Sequence, residues 1–179
     1  MKTKLWMGVV LGVFLVGCKD QPMPTGEDFQ EVQADLVIIG MKSYLTNNGI
    51  RKAQILGDTG YVYDDSSKVH VKNVNLKFFD EQGVESGSLT SLTGDFNTNT
   101  QAMIARGNVV LITTTGNRRI ETEEFHYDPQ THRLWSDVRT VLTEPGSRVV
   151  GTGFTADDKF QNVSIKGASG RVSGTGIKF

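Results

Sequence analysis

From Ala34 onward, turn-forming clusters recur about every dozen residues, and apolar and polar side chains alternate between them. Asn47-Asn48-Gly49 comes first, a hairpin signal because Asn and Gly tolerate positive φ. Asp64–Ser67, Asp80–Gly83, Asn97–Thr100, Gly116-Asn117, Asp128–Thr131, Glu144–Gly146 and Ala156–Asp158 follow. No stretch of this region sustains a helical period. Its two prolines, Pro129 and Pro145, fall in turns, where a missing N–H costs nothing. The pattern predicts an all-β chain of antiparallel strands at Ala34–Thr46, Ile50–Asp64, Lys68–Phe79, Ser88–Phe96, Gln101–Thr114, Arg118–Tyr127, Arg133–Thr143, Ser147–Thr155, Phe160–Gly167 and Ser169–Ile177. Apolar parity shifts between Val71 and Val74, which predicts a bulge near Lys72-Asn73, and Gly107 predicts a bend in its strand.

An internal repeat narrows the architecture. Ser91–Ile120 can be laid on Glu121–Val150 with a one-residue slip. Phe96 then matches Tyr127, Met103 matches Leu134, and Val110-Leu111 matches Val141-Leu142. The unit is strand, turn, strand, turn, with a period of roughly 30 residues, and units of this kind bury their apolar face only by stacking. The expectation is an elongated antiparallel β stack.

The first residues read as an address. Lys2 and Lys4 precede an apolar run, Leu5–Val16, which is shorter than the ~20 residues of a membrane span. The run ends in Leu15-Val16-Gly17-Cys18, which resembles a bacterial lipobox. Cys18 is the only cysteine, so it fits acylation and excludes an intramolecular disulfide. The division expected is a lipoprotein signal peptide at 1–17, a lipid-anchored tether at 18–33 and a β domain at 34–179. The tether is polar, with Pro22, Pro24 and Gly26.

Little in the composition points to catalysis. The net charge is −1, so no basic field recommends nucleic acid. His70, His126 and His132 lack a second ligand at metal spacing and read as surface histidines; no metal and no cofactor is expected. Glu121 and Glu123 should share a strand face with Glu124 opposite, and Arg118 and Arg119 can compensate their charge. Gly151-Thr152-Gly153 and Gly174-Thr175-Gly176 open no predicted helix and so lack a phosphate-loop mechanism. What remains is shape. Apolar rows at Val69/Val71, Val74/Leu76/Phe78, Val109/Leu111 or Val110/Ile112, Ile120 and Val163/Ile165 could line a lipid groove, or could form an ordinary core.

Tyr44–Gly49, Val74–Gly83, Ala105–Val110, Ile120–Thr131 and Val149–Phe154, in that order, resemble the LptC family of periplasmic lipopolysaccharide-export proteins, relatives of the LptA (OstA-like) repeat domain. The resemblance implies a twisted, boat-like antiparallel β jellyroll and a non-enzymatic carrier. It implies that lipopolysaccharide is accepted from the inner-membrane LptBFG transporter, with acyl chains inside the groove, and passed to an LptA-like bridge protein. The edge near Leu36, Ile38 and Tyr44 would face the transporter, and that near Val163, Ile165 and Val172 the bridge. Familiar members carry an N-terminal transmembrane helix, whereas this chain carries a lipobox. The implied location is the periplasm, anchored through Cys18 to the inner membrane. The alternative is an envelope assembly lipoprotein that pairs strands with other proteins and carries no lipid. Under the groove reading a charge at Leu76 should spare the fold.

Overall fold

The computed structural model describes residues 33–47 and 49–172. Among these residues, twelve antiparallel strands form one open sheet: β1 (Leu36–Asn47), β2 (Ile50–Tyr63), β3 (Lys68–Phe79), β4 (Glu85–Asn97), β5 (Met103–Thr113), β6 (Arg118–Asp128), β7 (Arg133–Ser136), β8 (Thr140–Glu144), β9 (Ser147–Gly151), β10 (Gly153–Asp157), β11 (Val163–Lys166) and β12 (Ser169–Val172). A short 3-10 turn at Thr115–Asn117 links β5 to β6. The sheet runs in sequence order from β1 to β6 and then divides. One branch continues as β7, β10 and β11, the other as β8, β9 and β12.

The division continues a crease that crosses every long strand. In β1 it falls at Gly40 (φ +62), in β3 at Asn73 (φ +52), and in β5 at Gly107 and Asn108 (φ +76 and +48). The registers align these positions. Ile39 pairs with Thr59 and Met41 with Gly57, flanking Asp58; Lys72 pairs with Thr93 and Val74 with Ser91, flanking Leu92; Arg106 pairs with Glu124 and Val109 with Thr122, flanking Glu123. In β5, Gly107 and Asn108 stand against one residue of β6, and such an extra residue bends a strand and raises its twist. In β1 and β3 the ladder stays one to one, so a single left-handed residue turns the strand, in place of the bulge expected near Lys72-Asn73. Side-chain parity shifts there as well: β3 buries Val69 and Val71 before the crease and Val74, Leu76 and Phe78 after it. The sheet is thereby folded into two leaves that face each other.

Each leaf contributes an unbroken apolar row. In the first leaf, Leu36, Val62, Val69, Phe96, Met103, Tyr127, Leu134, Ala156 and Val163 lie in register across nine strands. The repeat is visible in this row, because Phe96↔Met103 and Tyr127↔Leu134 are equivalent cross-strand pairs. In the second leaf, Ile55, Leu76, Leu89, Leu111, Ile120 and Leu142 do the same. Apart from Leu36, which is exposed at the sheet edge, these side chains are buried or partly buried between the leaves, and full burial of such a group contributes about 1.5–3 kcal/mol.

Two expected strands are each two strands. Arg133–Thr143 breaks at Asp137–Arg139, because β7 pairs with the C-terminal end of β6 in the first leaf and β8 with its N-terminal half in the second. Ser147–Thr155 breaks at Thr152, where the chain passes from the second leaf to the first. The glycines flanking that step permit close approach. A Cβ on Gly151 would stand 2.3 Å from Ile165 Cγ2, and one on Gly153 would stand 2.3 Å from Ser136 O. Gly151-Thr152-Gly153 is thus a crossing point between leaves. Phe160 is also not strand; it sits in the β10–β11 loop, and β11 starts at Val163. Residues 173–179, including Gly174-Thr175-Gly176, fall outside the described residues, as do the apolar run, Cys18 and nearly all of the tether.

Candidate functional site

The candidate groove residues share one interior. Val69, Val71, Val74, Leu76, Phe78, Val109, Leu111 and Ile120 are all buried between the leaves, and Val163 and Ile165 pack partly buried against them. Of the two registers open for β5, Val109/Leu111 points inward, while Ile112 is exposed. The centre of this interior is filled by its own side chains: Leu89, Phe125, Leu134 and Phe154 are fully buried, and Phe125 lies 6.3 Å from Phe154.

At one end the leaves separate. The β3–β4 turn of the second leaf faces the β6–β7 turn and the β10–β11 loop of the first, and a cleft of about 770 Å³ lies between them. That volume is within the range of small-ligand sites. Its deep wall is apolar, formed by Ala53, Leu76, Phe78, Met103 and Leu134, with Leu45 and Tyr127 less buried. Burial, with the nearby charges of Asp158 and Asp128, pushes the Tyr127 phenol up to about 12, so it faces the cleft as a neutral hydroxyl. The rim is charged, with Lys52, Asp80, Glu81, Glu85, Asp158 and Lys159, and His132 stands among them. Leu76 and Phe78 are the candidate groove residues that reach the cleft, whereas the other buried ones lie deeper in the core. Met103, Tyr127 and Leu134 belong to the cleft although the sequence nominated them only as repeat partners. Their signal was the repeat itself, which places equivalent apolar pairs beside equivalent turns.

Among the described residues, the sheet has unpaired edges at both sides. β1 is an edge of twelve residues that carries exposed Leu36, Val37, Ile39 and Tyr44, with Ile39 78 % exposed. Ile38 turns inward against the core. At the other side β11 and β12 end the two branches, each only four residues long, and Val172 is the last residue of β12. Among the candidate edge residues, then, Leu36 and Tyr44 are exposed, and Ile38, Val163 and Ile165 lean into the core. An unpaired edge is a template for another strand. Tyr44 is further covered by Arg51, whose guanidinium lies 4.6 Å from the ring centroid.

The outer face of the first leaf carries a charge network. Asp95 accepts from His70 at 2.8 Å and pairs with Lys68 at 3.1 Å and Arg106 at 2.9 Å. Burial pushes the Asp95 carboxyl up, but the hydrogen bond to His70 and the Lys68 ammonium outweigh it and hold it at about 2. Arg106 also pairs with Glu124, which bonds His126 at 2.7 Å, and His126 stacks on Trp135 at 4.9 Å. His132 bonds Asp158. Each histidine therefore has a carboxylate neighbour. Glu124 does not lie opposite Glu121 and Glu123 as a regular strand would require. The crease at Glu123 shifts the parity and puts Glu124 on the outer face with Arg106. Arg119 pairs with Glu121, while Arg118 reaches Glu144. Among the described residues, no helix is long and apolar enough to cross a membrane.

The sequence matches the family described as lipopolysaccharide-assembly, LptC-related, over residues 8–172. The fold is similar to the crystal structure of LptH, the LptA homologous periplasmic component of the lipopolysaccharide transport device from Pseudomonas aeruginosa. The TM-score is 0.51 at 15 % identity, over 63 % of this chain and 80 % of that one, and the likeness is one of fold. No curated protein matches the chain.

Proposed function

We propose that this chain, which belongs to the LptC family of lipopolysaccharide-assembly proteins, is a periplasmic carrier that holds lipopolysaccharide acyl chains between its two leaves. In this reading Cys18 is acylated and anchors the protein to the inner membrane. Lipopolysaccharide arrives from LptBFG at the β1 edge and leaves toward an LptA-like protein at the β11 and β12 edges. No step of this function calls for a catalytic group.

The observation that carries the proposal is the cleft. A folded sheet that part-encloses an apolar wall, yet opens at one end with a charged rim, suits a molecule with hydrocarbon tails and a charged head. One chain of about 14 carbons would gain on the order of 10 kcal/mol if fully buried, at about 0.8 per CH₂. Several chains held that way would not leave. Partial enclosure keeps the lipid transferable when the transporter pushes the next one in.

The filled centre of the interior favours a second reading, an assembly lipoprotein that joins partners through its edges. Purification of the full chain in mild detergent, with assay of co-purifying lipopolysaccharide, separates the two. A carrier retains it at a stoichiometry that falls when Leu45, at the cleft, becomes Asp; a scaffold retains none above an unrelated lipoprotein control.

A further inference from the structure

The β10–β11 loop, residues 158–162, springs from the first leaf but is fastened to the second. Its Phe160 is fully buried, and the ring stands edge-on to Phe78 at 5.5 Å. The ring lies over Gly87, where an added Cβ would meet Phe160 Cε2 at 3.4 Å. Gly87 is an inward position in the row Ala53, Phe78, Gly87, Thr113. The ring therefore occupies a slot that a missing side chain leaves open. Two further contacts cross between the leaves here. Arg118 Nη1 donates to the Phe160 carbonyl at 2.9 Å, and Lys159 lies 3.7 Å from Glu81 at the rim of the cleft.

The loop is preorganised by Asp157. Its carboxylate accepts the backbone N–H of Lys159, Gln161 and Asn162 and the Asn162 amide. The resulting turn presents Phe160 at φ +54, a left-handed conformation that bulky residues rarely adopt and that persists only where the surroundings hold it. Phe78 lines both the slot and the cleft, so the two are adjoining parts of one apolar space.

We propose that Phe160 is a displaceable plug, and that its slot between Phe78 and Gly87 is the terminal subsite for an acyl chain entering through the cleft. This rests on the carrier reading above. In the structure the ring fills the slot. An arriving chain takes its place while the loop lifts away from Arg118 and Glu81. The exchange is apolar group for apolar group, so much of the burial gained by the chain is offset by exposure of the ring. Relief of the left-handed backbone works in the chain's favour. The plug thus sets a ceiling on how tightly the tail is held, which a carrier needs.

The test uses the full chain in cells that make lipopolysaccharide, with a leucine-sized diazirine residue at Leu45 in the cleft or at Leu89, two residues from Gly87 on the same face. In the wild type, lipopolysaccharide crosslinks strongly from Leu45 and weakly from Leu89. Phe160→Ala should raise the Leu89 signal several-fold and leave Leu45 little changed. Because that variant also removes a buried ring, Asp157→Ala serves as the second, since it loosens the loop and leaves the core side chains intact; it should move Leu89 in the same direction. A Leu89 signal unmoved by Asp157→Ala in folded protein overturns the plug. Absence of any crosslink from Leu45 in the wild type overturns the carrier reading itself.

Discussion

Asn73 Nδ2 donates to Asp58 Oδ2 at 2.6 Å across neighbouring strands, at the point where both turn through the crease. Asn73 has φ +52, a conformation Asn tolerates and β-branched residues do not. One side chain thus sets the bend and bonds it to the next strand. Asn73→Val should destabilise the fold by about 1–3 kcal/mol, and Asn73→Gly by less, because only the hydrogen bond is lost. Urea denaturation midpoints of the two variants check this; equal midpoints would remove the crease from the account.

Leu76 is 1 % exposed and sits in the unbroken row of the second leaf. The expectation that a charge there spares the fold is corrected by this burial. Leu76→Asp would place a carboxylate among apolar groups without a partner, and the loss should be about 4 kcal/mol or more. Leu45→Asp, at the cleft, should leave the melting temperature within a few degrees of wild type. Circular dichroism melts of both proteins decide the matter.

The fold was legible in the sequence where alternation and turn chemistry agree. The parity shift between Val71 and Val74, together with Gly107, foretold two points of the crease. Nothing local foretold that these points align, since alignment follows from register between distant strands. The splits of Arg133–Thr143 and Ser147–Thr155 were illegible for the same reason: each half pairs with a different leaf, while the local pattern reads as one continuous strand. Phe160 looks like the start of a strand when taken with Val163 and Ile165, but the Asp157 carboxylate captures the backbone N–H groups that would have extended it. Of the candidate site, the inward rows were legible, but the cleft was not, because it forms between turns that are far apart in the chain.

Asp95 makes part of the stability pH-dependent. Its carboxyl is held at about 2 in the folded protein, against an ordinary value of 3.8. A depressed carboxyl stabilises fully above its ordinary value and progressively less as pH falls toward the folded one. The contribution should therefore be intact above about pH 5 and fade between about pH 4 and 2. Asp95→Asn should be less stable than wild type at pH 6, with the gap narrowing as pH falls through that window. Denaturation curves at a series of pH values measure it; a gap that widens on acidification would contradict the assignment.

Ile39 is the most exposed apolar residue of the β1 edge and contributes nothing to the core. Ile39→Lys should change stability by no more than about 0.5 kcal/mol. A lysine on an open edge discourages strand addition, so the variant should lose co-purification with the transporter proposed to dock there while its melting curve stays put. Retained co-purification would move the transporter contact to another edge.

Leu111 and Ile112 are consecutive residues of β5 that point to opposite faces, one fully buried between the leaves and the other exposed. In the proposed function, acyl chains lie between those leaves. A leucine-sized diazirine residue at each position, irradiated in cells and probed for lipopolysaccharide, tests it directly. A crosslink is expected from Leu111 that is weak, like that from its cross-strand partner Leu89, yet above the background from Ile112. Equal labelling at both, or labelling from Ile112 alone, would contradict it.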